Sequence, residues 1–365
     1  MRVVIAPDSF KGSIGAADAA QAMADGWLAV RAGDEVTCLP LADGGEGTLD
    51  VIAAAVSGAR WQQVTVTGPG GQPADCPWLT LPGGTAVIEL ARASGLPLLA
   101  RPDPLGAHTT GLGQVTAAAL ADGAREIVIT LGGSASTDGG TGALAALGAR
   151  FLDAAGRPLR PGGGALPGLA AVDVSGLRPA PPGGARLLAD VEAPLLGPAG
   201  AAAVFGPQKG ASPQQIRLLE QGLARLAALL GGDPDAPGAG AAGGTGYGFA
   251  AAWGAVFRPG AAELCRIAGL DRALAGAGLV ITGEGRWDDT SVAGKVTGKV
   301  LGMARWAGVP AALVAGQIAT PAPAGAIALA DLAGGAEAAL ADPGRWLRQA
   351  GQQLAASVRE QAPRH

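Results

Sequence analysis

Arg2-Val3-Val4-Ile5-Ala6-Pro7-Asp8-Ser9-Phe10-Lys11-Gly12-Ser13 is the stretch whose reading decides the fold. Arg2–Ala6 is a short β-branched apolar run, the composition of a strand buried on both faces. It ends in a turn that gathers an acid, two hydroxyls and a lysine, and then enters Ile14–Val30, which reads as a helix. A strand that passes through a polar loop into a helix is the opening of a parallel βαβ unit. Ligands of open α/β sheets sit at the carboxyl ends of strands, so this turn is also the first place to look for a site.

The same alternation recurs downstream. Glu35–Pro40, Ala86–Ala91, Glu126–Leu131, Arg186–Ala189, Leu279–Thr282 and Ala311–Ala315 read as further buried strands. Val115–Gly123, Gln214–Leu230 and Trp346–Arg359 read as helices; in the second, Ile216, Leu219, Leu223, Leu226 and Leu230 fall at helical spacing. From Gln62 to about Leu90 the pattern changes to strand-turn-strand, punctuated by Gly68-Pro69-Gly70-Gly71 and Pro82-Gly83-Gly84. The fold class predicted is α/β with two domains: a doubly wound, Rossmann/flavodoxin-like domain from 1–62 and 272–365, and a second mixed α/β domain, 63–271, inserted into it. Gly231–Gly248, rich in Gly, Ala and Pro, is expected to be a flexible loop.

Composition narrows the function. Of 365 residues, 48% are hydrophobic and 15% charged, which excludes disorder and leaves material for a large core. The net charge is −4 with no dense basic run, which argues against nucleic acid and a membrane surface as partners. No apolar stretch reaches the ~20 residues of a membrane span, and the first residues lack the pattern of a signal peptide. Three scattered cysteines, Cys38, Cys76 and Cys265, read as small core residues of a reducing cytoplasm. With two histidines, one of them His365, a zinc centre or a Ser-His-Asp triad would rest on His108 alone. The chemistry falls to carboxylates, lysines, hydroxyls and backbone amides.

Four Gly-rich stretches follow apparent strands. In the first, Lys11 and Ser9 at a helix start suit a phosphate or a carboxylate; the alternative is an N-cap at Ser13 beside a surface Lys11. In the second, Leu41-Ala42-Asp43-Gly44-Gly45-Glu46-Gly47-Thr48, two carboxylates flank a glycine pair, either for substrate or magnesium or as acids that suit a helix dipole. In the third, Leu131-Gly132-Gly133-Ser134-Ala135-Ser136-Thr137-Asp138-Gly139-Gly140-Thr141-Gly142, glycine-freed amides and hydroxyls could nest phosphate oxygens. It is not a Walker A loop, because no Gly-Lys-Ser/Thr follows at the right spacing. The fourth, Ile281-Thr282-Gly283-Glu284-Gly285-Arg286-Trp287-Asp288-Asp289-Thr290 with Gly294-Lys295, mixes acids and cations as phosphoryl transfer requires; a solvated charged loop is the competing account. Lys11, Lys209 and Lys295 each adjoin a glycine, which fits compact point charges kept in loops. Gly238-Ala239-Gly240-Ala241-Ala242-Gly243 spells a dinucleotide fingerprint but follows Pro234-Asp235-Ala236-Pro237 instead of a strand, and reads as a loop. His108 reads as a polar loop or cap residue.

Taken together, Asp8–Ser13, Leu41–Thr48, Gly132–Ala135, Asp138–Gly140, Phe205-Gly206-Pro207-Gln208-Lys209-Gly210-Ala211 and Ile281–Gly285 resemble the bacterial glycerate kinase type I family in order and spacing. The resemblance implies ATP with Mg2+, D-glycerate as acceptor, 2-phosphoglycerate as product, and an active site in the cleft between two domains. Departures from the family pattern stand at Ser136-Thr137, Glu192-Ala193, Thr290-Ser291, Thr297 and Lys299, where lost hydrogen-bond partners would shift substrate preference.

On this reading Lys11, Ser9 and nearby amides hold the acceptor's carboxylate, with Asp43, Gly44, Gly45 and Ser134 completing the substrate contacts. Asp190 or Asp43 orients the hydroxyl and receives its proton, and Lys209 and Lys295 neutralise charge on the γ-phosphate. Gly132, Gly133, Ser134, Asp138, Gly283, Glu284, Gly285 and Lys295 are the expected nucleotide contacts, and Glu284 and Asp288 the expected metal ligands. Positioning and electrostatics then supply most of the rate. The alternatives are a kinase for another small hydroxy acid, a non-catalytic glycerate-binding regulator and a nicotinamide oxidoreductase. The last is disfavoured by the misplaced glycine motif. A homodimer is the assembly considered.

Overall fold

The computed structural model describes residues 1–10, 12–45, 47–292 and 295–358. Its first six strands are β1 (Arg2–Ile5), β2 (Glu35–Cys38), β3 (Arg60–Thr67), β4 (Pro73–Thr80), β5 (Thr85–Glu89) and β6 (Glu126–Thr130). They are followed by β7 (Arg150–Leu152), β8 (Ala171–Asp173), β9 (Ala185–Leu188), β10 (Val256–Arg258), β11 (Leu279–Trp287), β12 (Ala311–Ile318) and β13 (Ile327–Ala328). The chain folds as two units, Met1–Asp43 with Asp50–Ser57 and Ala261–His365, and Gly44–Leu49 with Gly58–Gly260. The divisions expected at 62–63 and 271–272 differ for a physical reason. Arg60 to Gln62 belong to β3, which pairs with β4 along its whole length. Ala261, Cys265 and Leu270 pack with Val4 and Val280 of the first unit.

The first unit is an all-parallel sheet in the order β13-β12-β11-β1-β2. Strand alternation sends Val3 and Ile5 to one face, with Trp27 and Leu347. Val4 goes to the other face, with Val296 and Val300. Helices therefore cover both faces, the doubly wound arrangement. On one face helices Ala16–Val30 and Pro343–Ser357 pack backbone to backbone. A Cβ on Gly26 would lie 2.0 Å from the Arg348 carbonyl oxygen, and one on Gly351 2.3 Å from that of Met23. Only glycine permits that approach.

The second unit carries a mixed sheet, β10-β9-β6-β5-β4-β3, in which β5, β6, β9 and β10 are parallel and β3 and β4 antiparallel. β7 and β8 form a separate antiparallel pair. Helix Pro213–Leu230 starts on a Ser212/Gln215 capping box with Pro213 in its first turn, the sequence signature of a helix start. It buries Leu219, Leu223 and Leu226.

Two expectations are corrected. The fourth Gly-rich stretch is not a loop from residue 283: β11 runs on to Trp287, paired with β12. Gly231–Gly248 is not a flexible loop either. A helix spans Ala241–Trp253, and Ala242, Gly243 and Gly244 at its head are all left-handed and packed inside the unit. Ala242, at φ 53°, is the non-glycine residue with positive φ among those described.

Candidate functional site

In the first sheet the strand order reverses between β1 and β11. That is the switch point at which open α/β sheets bind ligands. A pocket of about 260 Å³ opens there, at the carboxyl ends of β1, β11 and β12. Its polar end is formed by Ser9, Asp43, Glu284, Arg286, Asp288 and Lys295. Gly285 and Gly316 form bare backbone beside it; a Cβ on Gly316 would fall 2.4 Å from the Gly285 carbonyl oxygen. Gly283 lies behind, its carbonyl accepting from Asp8 N at 2.8 Å and Thr297 Oγ1 at 3.2 Å. It serves the pairing of strands and does not line the pocket. Lys11, Glu46 and Gly294 fall outside the described residues.

Glu284 is the informative group. It is 6% exposed, and its Oε1 has no hydrogen-bond partner among the described residues. Burial pushes its carboxyl up, opposed by Ser291 and Thr297 hydroxyls and the Lys295 ammonium. Asp288 is held down chiefly by the hydroxyl of Thr290, which donates to Oδ1 at 2.6 Å. A buried carboxylate oxygen without a donor is where a cation belongs. No group of three or more His, Cys, Asp or Glu placed to hold a metal occurs among the described residues. Mg2+ does not need one, since it binds through one or two carboxylates together with substrate phosphates and water. Glu284 and Asp288 fit that donor set.

The second unit assembles the other sequence candidates. Gly44 and Gly45 lie against the loop after β6: a Cβ on Gly132 would meet Gly45 Cα at 2.7 Å and Gly44 O at 3.0 Å. Glu89, at the end of β5 and 1% exposed, accepts from Gly47 N at 3.1 Å and Leu49 N at 3.2 Å. Sequence reading placed Glu89 inside a buried strand without a role; the signal is an acid closing an otherwise apolar strand.

Lys209 occupies a turn, Pro207–Lys209, and is 1% exposed. Its Nζ donates to Ser134 Oγ at 2.8 Å and to the Ser136 carbonyl at 2.5 Å. Burial brings its ammonium down to about 7, against the pull of Asp138. Lys209 is therefore no solvent-facing point charge. It fills one acceptor position of Ser134 Oγ and leaves that hydroxyl's own proton to be donated elsewhere.

Asp138, with no exposed surface, takes four donors: Thr109 N at 2.9 Å, Thr109 Oγ1 at 2.8 Å, Gly140 N at 3.1 Å and Gly142 N at 3.2 Å. That is an organising role for the loop. Ala135 N already donates to Ser94 O and Gly139 N to Gly243 O, so the phosphate nest expected here is smaller than the run of glycines implied. Gly133 links the loops after β5 and β6 through Leu96 N at 3.0 Å. Ser136 Oγ and Thr137 Oγ1 are buried without a partner among the described residues. Asp190 is exposed, and its Oδ1 accepts from Gly260 N at 2.7 Å. His108 is buried in the loop before helix Thr110–Ala121, whose N-cap is Thr109, and its Nδ1 accepts from Thr110 N at 3.4 Å.

The chain and its fold have counterparts among known proteins. Residues 3–359 match the glycerate kinase family. A protein named glycerate kinase from Bacillus subtilis (strain 168) is 42% identical over 333 residues, covering 87% of this chain and 85% of its own. The glycerate 2-kinase of Escherichia coli (strain K12) is 41% identical over 327 residues, covering 87% and 86%. A crystal structure assigned to glycerate kinase 2 of Salmonella typhimurium LT2 superposes with a TM-score of 0.85 at 37% identity, over 98% of each chain.

Proposed function

The chain belongs to the glycerate kinase family, and we propose that it transfers the γ-phosphoryl group of ATP to D-glycerate, giving 2-phospho-D-glycerate. The observation that carries the phosphoryl-transfer reading is the buried Oε1 of Glu284 at the switch-point pocket, without a partner among the described residues, with Arg286 and Lys295 lining the same pocket. Such a pocket offers donors for a divalent cation and charge for phosphate together.

Ser9, with Lys11 by sequence, holds the acceptor's carboxylate. Asp43, which lines the same pocket, orients the attacking hydroxyl and receives its proton late. Of the two candidate bases it is the one used here, because it lines the pocket and Asp190 does not. Glu284 and Asp288 would hold Mg2+, which would supply charge neutralisation to the transferred phosphoryl group. Lys295 faces the same charge. In the second unit, Lys209 donates to Ser134 Oγ and leaves that hydroxyl a directed donor.

An ADP-release assay with Mg-ATP and D-glycerate, L-glycerate or other hydroxy acids tests the reading, with phosphorus NMR of the product. Release that depends on D-glycerate, with a 2-phosphoglycerate signal, is expected. Release only with another acid would reassign the acceptor, a 3-phosphate signal would reassign the hydroxyl, and release with none would leave a binding protein.

A further inference from the structure

The switch-point pocket has a second wall that the acceptor chemistry does not use. Besides the charged residues it is lined by Leu329, Ala336, Ala339, Leu340 and Pro343. These come from three consecutive helices, Leu329–Ala333, Ala336–Ala341 and Pro343–Ser357. Leu329 and Ala339 are buried, while Leu340 is 58% exposed. The wall is therefore aliphatic and shallow, built on alanines, with one large apolar side chain at its open rim. Glycerate presents only a carboxylate and hydroxyls and gains nothing from such a surface. A planar aromatic base has two faces that do. Gln317, exposed at the end of β12 and lining the same pocket, adds a carboxamide. It has both a donor and an acceptor for a heterocycle's edge.

We propose that this wall is a purine subsite, seating the base of the nucleotide donor on Ala336, Ala339, Leu340 and Pro343. The triphosphate then runs toward Arg286, Lys295 and the Glu284 carboxylate. The inference rests on the kinase reading and adds what selects the donor. The two ends are complementary to one ligand only in combination. Two cations and an orphaned carboxylate suit a metal–polyphosphate, and the aliphatic wall suits the base attached to it. A pocket of about 260 Å³ approaches the roughly 300–1,000 Å³ of ordinary ligand sites and is generous for a three-carbon acid alone.

The test uses the full chain with Leu340→Glu, which puts a charge on the wall at an exposed position, and Ala336→Leu, which fills the slot with an apolar group. Binding of Mg-ATP and of inorganic tripolyphosphate is read by calorimetry, which needs no turnover, and KM is measured for ATP and for D-glycerate. Both variants are expected to weaken ATP binding and raise its KM by about ten-fold or more, with tripolyphosphate affinity and glycerate KM within about two-fold of wild type. The preference for ATP over CTP should fall in parallel. Unchanged ATP affinity in both variants, or equal losses for tripolyphosphate or glycerate, would overturn the proposal. Wild-type protein that binds Mg-ATP, loses it in Leu340→Glu, and phosphorylates no acid would sink the kinase reading while upholding the purine subsite. Wild-type protein that binds no nucleotide would remove the subsite.

Discussion

Replacing Lys209 with methionine probes the buried amine directly. Burial lowers its titration from the ordinary 10.5 to about 7, whereas in the unfolded chain lysine keeps its ordinary value. Below 7 both states carry the proton, and the folded chain bears the full penalty of an ammonium that is 1% exposed. Between 7 and 10.5 the unfolded state holds one proton more, so stability rises with pH across that window. The slope is about 1.4 kcal/mol per pH unit, so raising pH from about 7.5 to about 9.5 adds roughly 2.7 kcal/mol from this group alone. Methionine keeps an aliphatic stem and cannot titrate, so the variant lacks that rise. At any single pH the offset between the proteins mixes opposing effects. The variant escapes the desolvation penalty but leaves Ser134 Oγ and Ser136 O without their donor, at about 1–3 kcal/mol each. The difference in slope is free of that mixture. Urea unfolding followed by circular dichroism across the window measures it, analysed on the transition that the substitution shifts, since two units can unfold separately. Slopes that agree within about 0.5 kcal/mol over the window would refute the reasoning.

Glu284→Gln should lower kcat about 100-fold or more and raise the Mg2+ concentration needed for half-maximal rate. Its thermal midpoint should not fall, because Oε1 has no hydrogen-bond partner among the described residues and burial already disfavours the charged form; a lower midpoint would assign Glu284 a structural task instead. Ala242→Gly should raise stability by roughly 1 kcal/mol by relieving a left-handed alanine. Gly243→Ala should lower it by at least about 3 kcal/mol, since its Cβ would lie 2.1 Å from the Ser136 carbonyl oxygen at φ +66°; both are read by denaturant titration, and equal effects would discount the strain. Asp138→Asn should cost about 2–4 kcal/mol, because an amide cannot accept all four donors, and the same titration checks it.

The strand–loop–helix order was legible wherever Val and Ile cluster. Arg2–Ile5, Glu126–Thr130 and Ala311–Ile318 begin where their β-branched runs begin, because strands buried on both faces have no polar alternation to blur the pattern. The change of regime after Gln62 was equally clear, and it corresponds to the antiparallel β3–β4 pair. Glycine caused both errors. In β11 the run Thr282-Gly283-Glu284-Gly285 looks like a loop, yet the missing side chains are what let β11 approach β12 closely: a Cβ on Gly283 would stand 2.2 Å from the Val314 carbonyl oxygen. Between Ala239 and Gly248 glycines again suggested freedom, but they are there because the chain turns left-handed against Ser136 and Gly139.

The site was legible in residue type and illegible in exposure. Lysine beside glycine reads the same at Lys209, where Nζ is enclosed by Ser134 and Ser136, and at Lys295, which lines the open pocket. An acid after glycines reads the same at Asp138, saturated by four donors, and at Glu284, with an oxygen left over. Tertiary packing makes the distinction, and it separates groups that build a loop from groups that can meet a ligand. The departures from the family pattern sort the same way. Ser291 and Thr297 are buried, with Ser291 Oγ donating to Arg286 O and Thr297 Oγ1 to Gly283 O. Neither lines the pocket; both hold the strand end that carries Glu284. Exchange at these positions acts on a ligand through the position and charge of Glu284, so it should change kcat and metal dependence before it changes which acid is accepted. Acceptor preference is more directly exposed to Ser9 and Asp43, which face the pocket, and donor preference to the aliphatic wall beyond Gly316.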